Sequence, residues 1–140
     1  MSAFKRFSVA VAVTALIISV VQSGEIPEEL KEAGKQAHDI CVKKTGAQEE
    51  HIANAMKGEF AEDEKFKCYL NCILEQFNLL KEDDTINYEV MEQLAPESMK
   101  SNLEQMKKEC GQSAGANKCE KAFNLNKCAY KVNPNTYFSL

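Results

Sequence analysis

Six cysteines are the residues of this 140-residue chain whose number and spacing point most directly to a chemistry. They are Cys41, Cys68, Cys72, Cys110, Cys119 and Cys128. An even number of thiols forms a disulfide framework in an exported chain, whereas thiols combined with histidines bind zinc. Zinc sites favour C-x2-4-C pairs, and only Cys68 and Cys72 come near that spacing, with His38 and His51 far from both. The sequence therefore predicts structural disulfides and no metal site.

The amino terminus predicts export, which is the condition under which disulfides persist. Two basic residues precede an apolar run over residues 7–21, and Ser23 stands where signal peptidase reads a small residue. This run of about 15 residues is shorter than the roughly 20 that a membrane-spanning helix needs. We therefore expect a signal peptide over residues 1–23, a secreted extracellular protein, and one mature domain over residues 24–140.

The charge of the mature chain argues against several classes of partner. Cleavage would remove Lys5 and Arg6, so the formal net charge falls from −4 to −6 and no arginine remains. An acidic chain without the bidentate guanidinium fork is a poor ligand for phosphate backbones, so we expect no nucleic-acid partner. Anionic membrane surfaces are disfavoured for the same reason.

Two sequence features resemble chemical motifs but lack the surroundings that such motifs need. Residues 111–115 read GQSAG and match G-x-S-x-G, but a nucleophile elbow joins a strand to a helix in a large α/β sheet. The acidic clusters at 62–64 and 82–84 lack the alternating oxygen ligands and central glycine of an EF-hand. We interpret the first as a loop and the clusters as helix starts and turns. No catalytic residue and no cofactor is predicted, and the protein is not expected to be an enzyme.

Apolar residues recur at helical spacing along the mature chain and predict an all-α fold with six helices. Proline, asparagine and glycine at the expected ends mark where these helices begin and stop. The expected limits, in chain order, are Pro27 to Gly46, about Ile52 to Gly58, about Phe66 to Phe77, residues 87–95, Pro96 to Gly111, and Asn117 to about Val132.

Helix geometry restricts which cysteines can pair. Cys68 and Cys72 lie at i and i+4 on one helix, so their Cβ atoms are about 5–6 Å apart, whereas a disulfide needs about 3.8 Å. Cys119 and Cys128 are separated by about 13 Å along the sixth helix. Excluding both pairs removes five of the 15 possible connectivities and leaves ten open.

The complete cysteine pattern is C-x26-C-x3-C-x37-C-x8-C-x8-C, and it resembles the six-cysteine signature of the insect odorant-binding proteins. The stretches HDICVKKTG at 38–46, EDEKFKCYLNC at 62–72 and CEKAFNLNKC at 119–128 are similar to the short-tailed members of flies and mosquitoes, as is the YFSL ending. The resemblance covers the whole mature chain. It implies a six-helix fold around a closed apolar cavity, with the pairs Cys41–Cys72, Cys68–Cys119 and Cys110–Cys128.

The same resemblance implies a function. Family members carry small hydrophobic odorants or pheromones through the aqueous sensillum lymph toward olfactory receptors in the neuron membrane, and relatives form homodimers. Such ligands need a pocket that removes their apolar surface from water. Two alternatives stay open: a non-olfactory secreted carrier of a hormone, lipid or amine with the same fold, and a secreted helical signalling protein with a solid core.

Residue-by-residue matching to the family motif implies a set of ligand-binding side chains, although the alternative for each is ordinary core packing. The implied set is Met91, Leu94, Met99, Leu103, Met106, Phe123, Tyr137 and Phe138. One departure concerns Asn124, because some mosquito relatives have a tryptophan after the phenylalanine of the KAF motif. Ligand preferences that depend on that indole are therefore not carried over.

The resemblance also implies a device for releasing the ligand in acid. In mosquito relatives the terminal carboxylate is held by a first-helix residue and by a tyrosine between the second and third cysteines. The matching groups are His38, Tyr69 and the carboxylate of Leu140. A carboxylate that accepts hydrogen bonds in the folded state has a lowered pKa, so its contribution is lost as the pH falls. Protonation of the histidine would oppose that loss. The alternative is that His38 is a surface residue beside Asp39.

Overall fold

The computed structural model describes residues 26–137, so the predicted leader over residues 1–23, together with Phe138 and Leu140, lies outside the described residues. The described chain forms six α-helices, which confirms the predicted fold class. They are α1 (Glu28–Thr45), α2 (Glu49–Ala55), α3 (Glu64–Gln76), α4 (Tyr88–Leu94), α5 (Lys100–Cys110) and α6 (Lys118–Val132). Among residues 26–137 the only β-type pairing is a single antiparallel bridge between Leu80 and Ile86.

Local side chains set the helix ends. The Asp63 carboxylate accepts a hydrogen bond from the backbone N–H of Phe66 at 2.9 Å and begins α3. The Asn117 side chain does the same for α6, accepting from the backbone N–H of Glu120 at 3.0 Å. Each cap satisfies a backbone donor that has no partner inside its helix. Gly46, with φ of 70°, ends α1 in the left-handed region that favours glycine.

Proline marks helix starts less directly than the sequence predicts. Pro27 precedes α1 as its N-cap residue and does not belong to the first turn. Pro96 does not open α5, because it introduces a short 3-10 turn over Glu97–Met99, and α5 begins at Lys100. Pro96 is the N-cap residue of this turn, and short 3-10 turns are common at the amino-terminal ends of α-helices.

Three disulfides hold the helices together in the pairing that the resemblance implied. Cys41–Cys72 joins α1 to α3, and Cys68–Cys119 joins α3 to α6. Cys110–Cys128 joins α5 to α6. All six cysteines are therefore paired, and α3 is anchored on two sides.

Helix α3 is also the centre of the packing, since it contacts both α1 and α6, while α5 packs against α4 and α6. Phe66 and Tyr69 on α3 are fully buried, and Phe123 on α6 is almost so. The rings of Phe66 and Phe123 meet edge to face, with centroids 6.2 Å apart. Burying three large aromatic side chains supplies a substantial share of the hydrophobic stabilisation of a domain of this size.

A polar network joins the same three helices at the surface. The Glu75 carboxylate on α3 accepts hydrogen bonds from Lys118 Nζ of α6 at 2.8 Å and from Asn71 Nδ2 at 2.9 Å. Lys44 Nζ of α1 lies 3.4 Å from the second carboxylate oxygen. The hydrogen bond from Lys118 is the main reason that the pKa of Glu75 is lowered.

We expect Glu75→Gln to reduce the free energy of unfolding at neutral pH by at most about 1 kcal/mol, because the pairs are partly exposed. A carboxyl whose folded pKa is lowered contributes stability above its ordinary value of 4.5, and that contribution is lost as the pH falls through the folded pKa. The difference between wild type and variant should therefore shrink below about pH 4.5. Urea unfolding at several pH values measures it, with Glu104→Gln on the exposed face of α5 as control. A difference that persists unchanged in acid would contradict the assignment.

Candidate ligand-binding site

A cavity of about 250 Å³ lies beside α3 and is lined by side chains of five helices and of the segments next to them. Leu30 comes from α1 and Met91 from α4, and the remaining helical walls are stripes of α3, α5 and α6. Met99 lies just before α5, and Leu103 and Met106 follow it at i+4 and i+7, so the three side chains share one helix face. Most of the lining is aliphatic or thioether, so the cavity is suited to an apolar ligand.

The structure brings six of the sequence-predicted binding residues together on the wall of this cavity. They are Met91, Leu94, Met99, Leu103, Met106 and Tyr137. Leu94 is 43% exposed, so the wall reaches the protein surface at α4, where the resemblance implied a closed cavity. The binding role of these residues stays a prediction.

Phe123 does not line the cavity. Its ring packs against Phe66, with Lys67 Nζ 4.9 Å and Lys127 Nζ 5.1 Å from its centroid. The reason is angular, since at 100° per residue Phe123 lies roughly 120° around α6 from Ala129, which does face the cavity. The structure therefore corrects the expectation for this residue, because it places Phe123 in the solid part of the core.

The largest wall that sequence reasoning missed belongs to α3. The sequence predicts its apolar stripe as a helix face but gives no reason to assign that face to the pocket. The structure divides this stripe, directing Phe66 and Tyr69 into the core while four further residues line the cavity. Those four are Leu70, Ile73 and Leu74 on α3 and Phe77 directly after its last residue. An apolar stripe on a helix does not show which of its residues pack in the core and which line a cavity, because both environments are apolar.

Polar groups in the cavity wall cluster near the end of α6. The Tyr137 hydroxyl donates a hydrogen bond to Asn126 Oδ1 at 3.0 Å, and its backbone N–H donates to the carbonyl of Asn133 at 3.2 Å. The Tyr137 ring packs edge to face against Phe60 and Tyr130. Burial, aided by nearby Tyr69, raises the pKa of Tyr137 far above its ordinary value. Tyr137 therefore stays protonated and acts as a neutral hydrogen-bonding group.

The structure brings together two of the three groups expected to form the acid-sensitive latch. His38 Nδ1 lies 2.8 Å from the hydroxyl oxygen of the buried Tyr69, and His38 Nε2 lies 3.0 Å from a carboxylate oxygen of Glu49. A carboxylate only accepts hydrogen bonds, so Nε2 carries the proton that it donates to Glu49. In neutral His38, Nδ1 then accepts from the Tyr69 hydroxyl.

The side chains of the motifs that resembled catalytic and metal sites make hydrogen bonds that hold a loop and a turn in place. Within the GQSAG stretch, Gln112 Nε2 donates to the backbone carbonyl of Ile86 at 3.1 Å, and Gln112 Oε1 accepts from the backbone N–H of Ile86 at 2.6 Å. These two bonds attach the loop to the segment that precedes α4. Asp83 accepts hydrogen bonds from the backbone and hydroxyl of Thr85 in a turn. Within residues 26–137, no three His, Cys, Asp or Glu side chains are grouped so that they could hold a metal ion.

Residues 26–137 include no helix with the length and apolar character required to cross a bilayer.

Comparison with known families decides what kind of cavity protein this is. The model of the PBP/GOBP family matches residues 23–132, which is most of the chain and includes all six cysteines. The chain belongs to this family. Its disulfide pairing and helical fold agree with that membership.

Similar proteins align with this chain over most of their own lengths. General odorant-binding protein 56a of Drosophila melanogaster is 28% identical over 133 residues, which cover 91% of this chain and 93% of that protein. The crystal structure of odorant-binding protein 4 from Chrysopa pallens has a TM-score of 0.72 at 31% identity, covering 81% of this chain and 97% of that one. A fatty acid binding protein from the oral disk of the blowfly Phormia regina, odorant-binding protein 56a, has a TM-score of 0.61 at 26% identity, covering 77% and 95%.

Membership in the PBP/GOBP family makes this protein a carrier that binds a small ligand and not an enzyme, as the sequence predicted.

Proposed function

We propose that this member of the PBP/GOBP family is a secreted carrier that takes small hydrophobic odorants or pheromones into the cavity beside α3 and delivers them to olfactory receptors. The observation that carries the proposal is the cavity of about 250 Å³ with its mainly aliphatic and thioether wall. Apolar ligands enter such a space because burial removes their surface from water. Methionine side chains adapt to ligands of different shape, which suits a carrier of several odorants. Export by the predicted leader would place it outside the cell, which for an olfactory carrier is the sensillum lymph.

The test is a titration of the disulfide-bonded protein, secreted from the full-length chain, with the fluorescent probe N-phenyl-1-naphthylamine. Saturable binding with a dissociation constant in the micromolar range, followed by displacement with volatile alcohols and esters, is the expected result. The chain has no tryptophan, so intrinsic fluorescence interferes little. A correctly disulfide-bonded sample without saturable binding would refute the carrier and favour a solid-core signalling protein.

The blowfly relative supports a second candidate, because its name describes fatty acid binding in the oral disk. The same fold would then serve as a non-olfactory carrier of a hormone, lipid or amine. Transcript enrichment in antennae supports the olfactory carrier, whereas enrichment in another tissue supports the second candidate. The homodimer expected from relatives stays a prediction, and light scattering coupled to size-exclusion chromatography measures it.

We also propose that acid releases the ligand and that the bond between His38 and Tyr69 takes part in this release. Tyr69 has one O–H, so in the latch that the resemblance implies it would donate either to His38 Nδ1 or to the carboxylate of Leu140. A charged His38 would donate from Nδ1 to the Tyr69 oxygen, which would leave the tyrosine proton for the carboxylate and so oppose release of the tail. Stronger acid would release the tail, since protonation of the carboxylate removes the acceptor.

We expect Tyr69→Phe to release ligand at a higher pH than wild type does. Without the tyrosine donor, the tail carboxylate has a less depressed pKa, and the stabilisation that it provides is lost earlier as the pH falls. Removing the hydroxyl also costs about 1 kcal/mol of stability, so circular dichroism at each pH must show that the variant is still folded. Probe fluorescence between pH 7.5 and 4 measures release. Identical release profiles for the two proteins would show that Tyr69 has no part in it.

A further inference from the structure

The charge of the cavity wall restricts the chemistry of the ligand. Every described residue that lines the cavity is uncharged. The polar side chains among them form what we call the polar strip, which runs along the end of α6 and the facing side of α5. The polar strip consists of Asn102, Asn126, Asn133, Thr136 and Tyr137.

The polar strip retains hydrogen-bonding capacity after its internal bonds are counted. Asn133 Nδ2 donates to Asn102 Oδ1 at 3.0 Å, and Asn126 Nδ2 donates to the carbonyl of Ala122 at 2.8 Å. The Asn102 amide nitrogen has no hydrogen-bond partner among residues 26–137, although Asn102 is only half-buried. The hydroxyl oxygen of Tyr137, which donates to Asn126, keeps lone pairs that can accept. The strip therefore offers both donors and acceptors, and all of them are neutral.

These groups treat neutral and ionised ligands differently. A ligand hydroxyl or carbonyl that leaves water regains hydrogen bonds on the strip, so the penalty of burying it is largely offset. An ionised carboxylate loses much more hydration, and among the described lining residues it meets no lysine, arginine or histidine that would compensate. Tyr137 remains protonated and supplies no charge.

We propose that the cavity binds neutral amphiphiles, such as aliphatic alcohols, aldehydes, ketones and esters, with their polar group at the polar strip, and that it discriminates against ionised carboxylates. This inference rests on the proposed carrier function and names the ligand class. Discrimination against carboxylates would distinguish this chain from the blowfly relative, whose name indicates fatty acid binding.

The first experiment compares three ligands that have the same saturated chain: 1-decanol, methyl decanoate and sodium decanoate. Each competes with N-phenyl-1-naphthylamine for the secreted, disulfide-bonded protein at pH 7.4, where decanoate is ionised. We expect decanoate to bind at least about tenfold more weakly than decanol, with the methyl ester close to the alcohol. Failure of the probe itself to bind would refute the carrier function. A probe that binds but is displaced by decanoate as well as by decanol, or by none of the three, would overturn only the ligand class.

Variants of Asn102 test the placement of the polar group. Asn102→Leu keeps the size of the side chain but removes its hydrogen bonds, and we expect decanol to bind about fivefold more weakly. Asn102→Lys places a cation in the strip and should reverse the preference, so that decanoate binds more tightly than decanol. The matched controls are Ser101→Leu and Ser101→Lys, at the neighbouring exposed position outside the cavity. Gain of decanoate binding in Asn102→Lys alone supports the proposal, whereas equal effects at both positions, or no gain at either, would overturn it.

Discussion

Simultaneous replacement of Cys68 and Cys119 by alanine is expected to lower the free energy of unfolding by about 4 kcal/mol. The two cysteines are 51 residues apart in sequence, and their disulfide restricts the unfolded chain over that whole length. The chain-entropy estimate for a loop of this size is about 4 kcal/mol. Small domains have total stabilities of about 5–15 kcal/mol, so such a loss is a large fraction of the whole.

The location of this disulfide makes its removal relevant to ligand binding. It joins α3 to α6, and these helices provide two of the cavity walls. Looser packing between them should weaken binding of N-phenyl-1-naphthylamine even under conditions in which most molecules are folded. The structure thus links the stability of the α3–α6 contact to the shape of the cavity.

Guanidinium unfolding monitored by circular dichroism measures the loss of stability, and mass spectrometry must show that the other two disulfides are intact. Cys110→Ala with Cys128→Ala is the matched control, because that bridge closes a loop with a separation of only 18 residues. Its expected effect is smaller, about 3 kcal/mol. A loss below about 1 kcal/mol for the Cys68 and Cys119 pair would contradict the prediction and would mean that the reduced chain retains the constraint through other contacts.

The helix ends show how far local sequence determines this fold. Asn117 caps α6 as predicted, and Gly46 and Gly111 follow the last residues of α1 and α5. These signals are local, because each residue satisfies backbone groups within a few positions of itself. The sequence predicts that α5 starts at Pro96, which is wrong, since proline is equally compatible with the 3-10 turn that precedes the helix.

The disulfide pairing needed information beyond local geometry. The spacing of the cysteines on α3 and α6 excludes two pairs but leaves ten connectivities. The geometry of one helix does not determine which other helix lies near Cys68 or Cys72. The resemblance selected one of the ten, and the structure has that pairing. Long-range contacts of this kind come from packing, which depends on the whole chain.

The cavity itself was the least predictable feature from the residues alone. Met99, Leu103 and Met106 follow helical spacing and were placed on its wall through the family motif. Phe123 is equally apolar but faces the solid core, because the side of a helix that meets empty space is decided by how its neighbours pack. The asparagines of the polar strip had no sequence signal, since isolated polar residues on a helix ordinarily face solvent.

Filling the cavity is expected to have the largest effect on function. Ala129 lies on the cavity-facing side of α6, so a tryptophan at this position would direct its indole into the space that we assign to the ligand. We expect Ala129→Trp to weaken binding of N-phenyl-1-naphthylamine by roughly 100-fold. Overpacking would also lower stability by about 1–3 kcal/mol, which leaves a folded protein under native conditions.

The matched control is Lys131→Trp, two residues further along α6 at an exposed position. Because the natural chain has no tryptophan, each variant has a single indole whose emission reports its surroundings. The emission maximum should lie at a shorter wavelength for position 129 than for position 131, which tests whether the indole is in the cavity. Ala129→Leu provides an intermediate volume in case the tryptophan variant is too unstable, and it should weaken binding by a smaller factor. The carrier proposal requires this graded loss, because a ligand held in the cavity competes directly with the added side chain for space. If both Ala129 variants were folded and bound the probe as tightly as Lys131→Trp, the ligand would have to bind elsewhere on the protein.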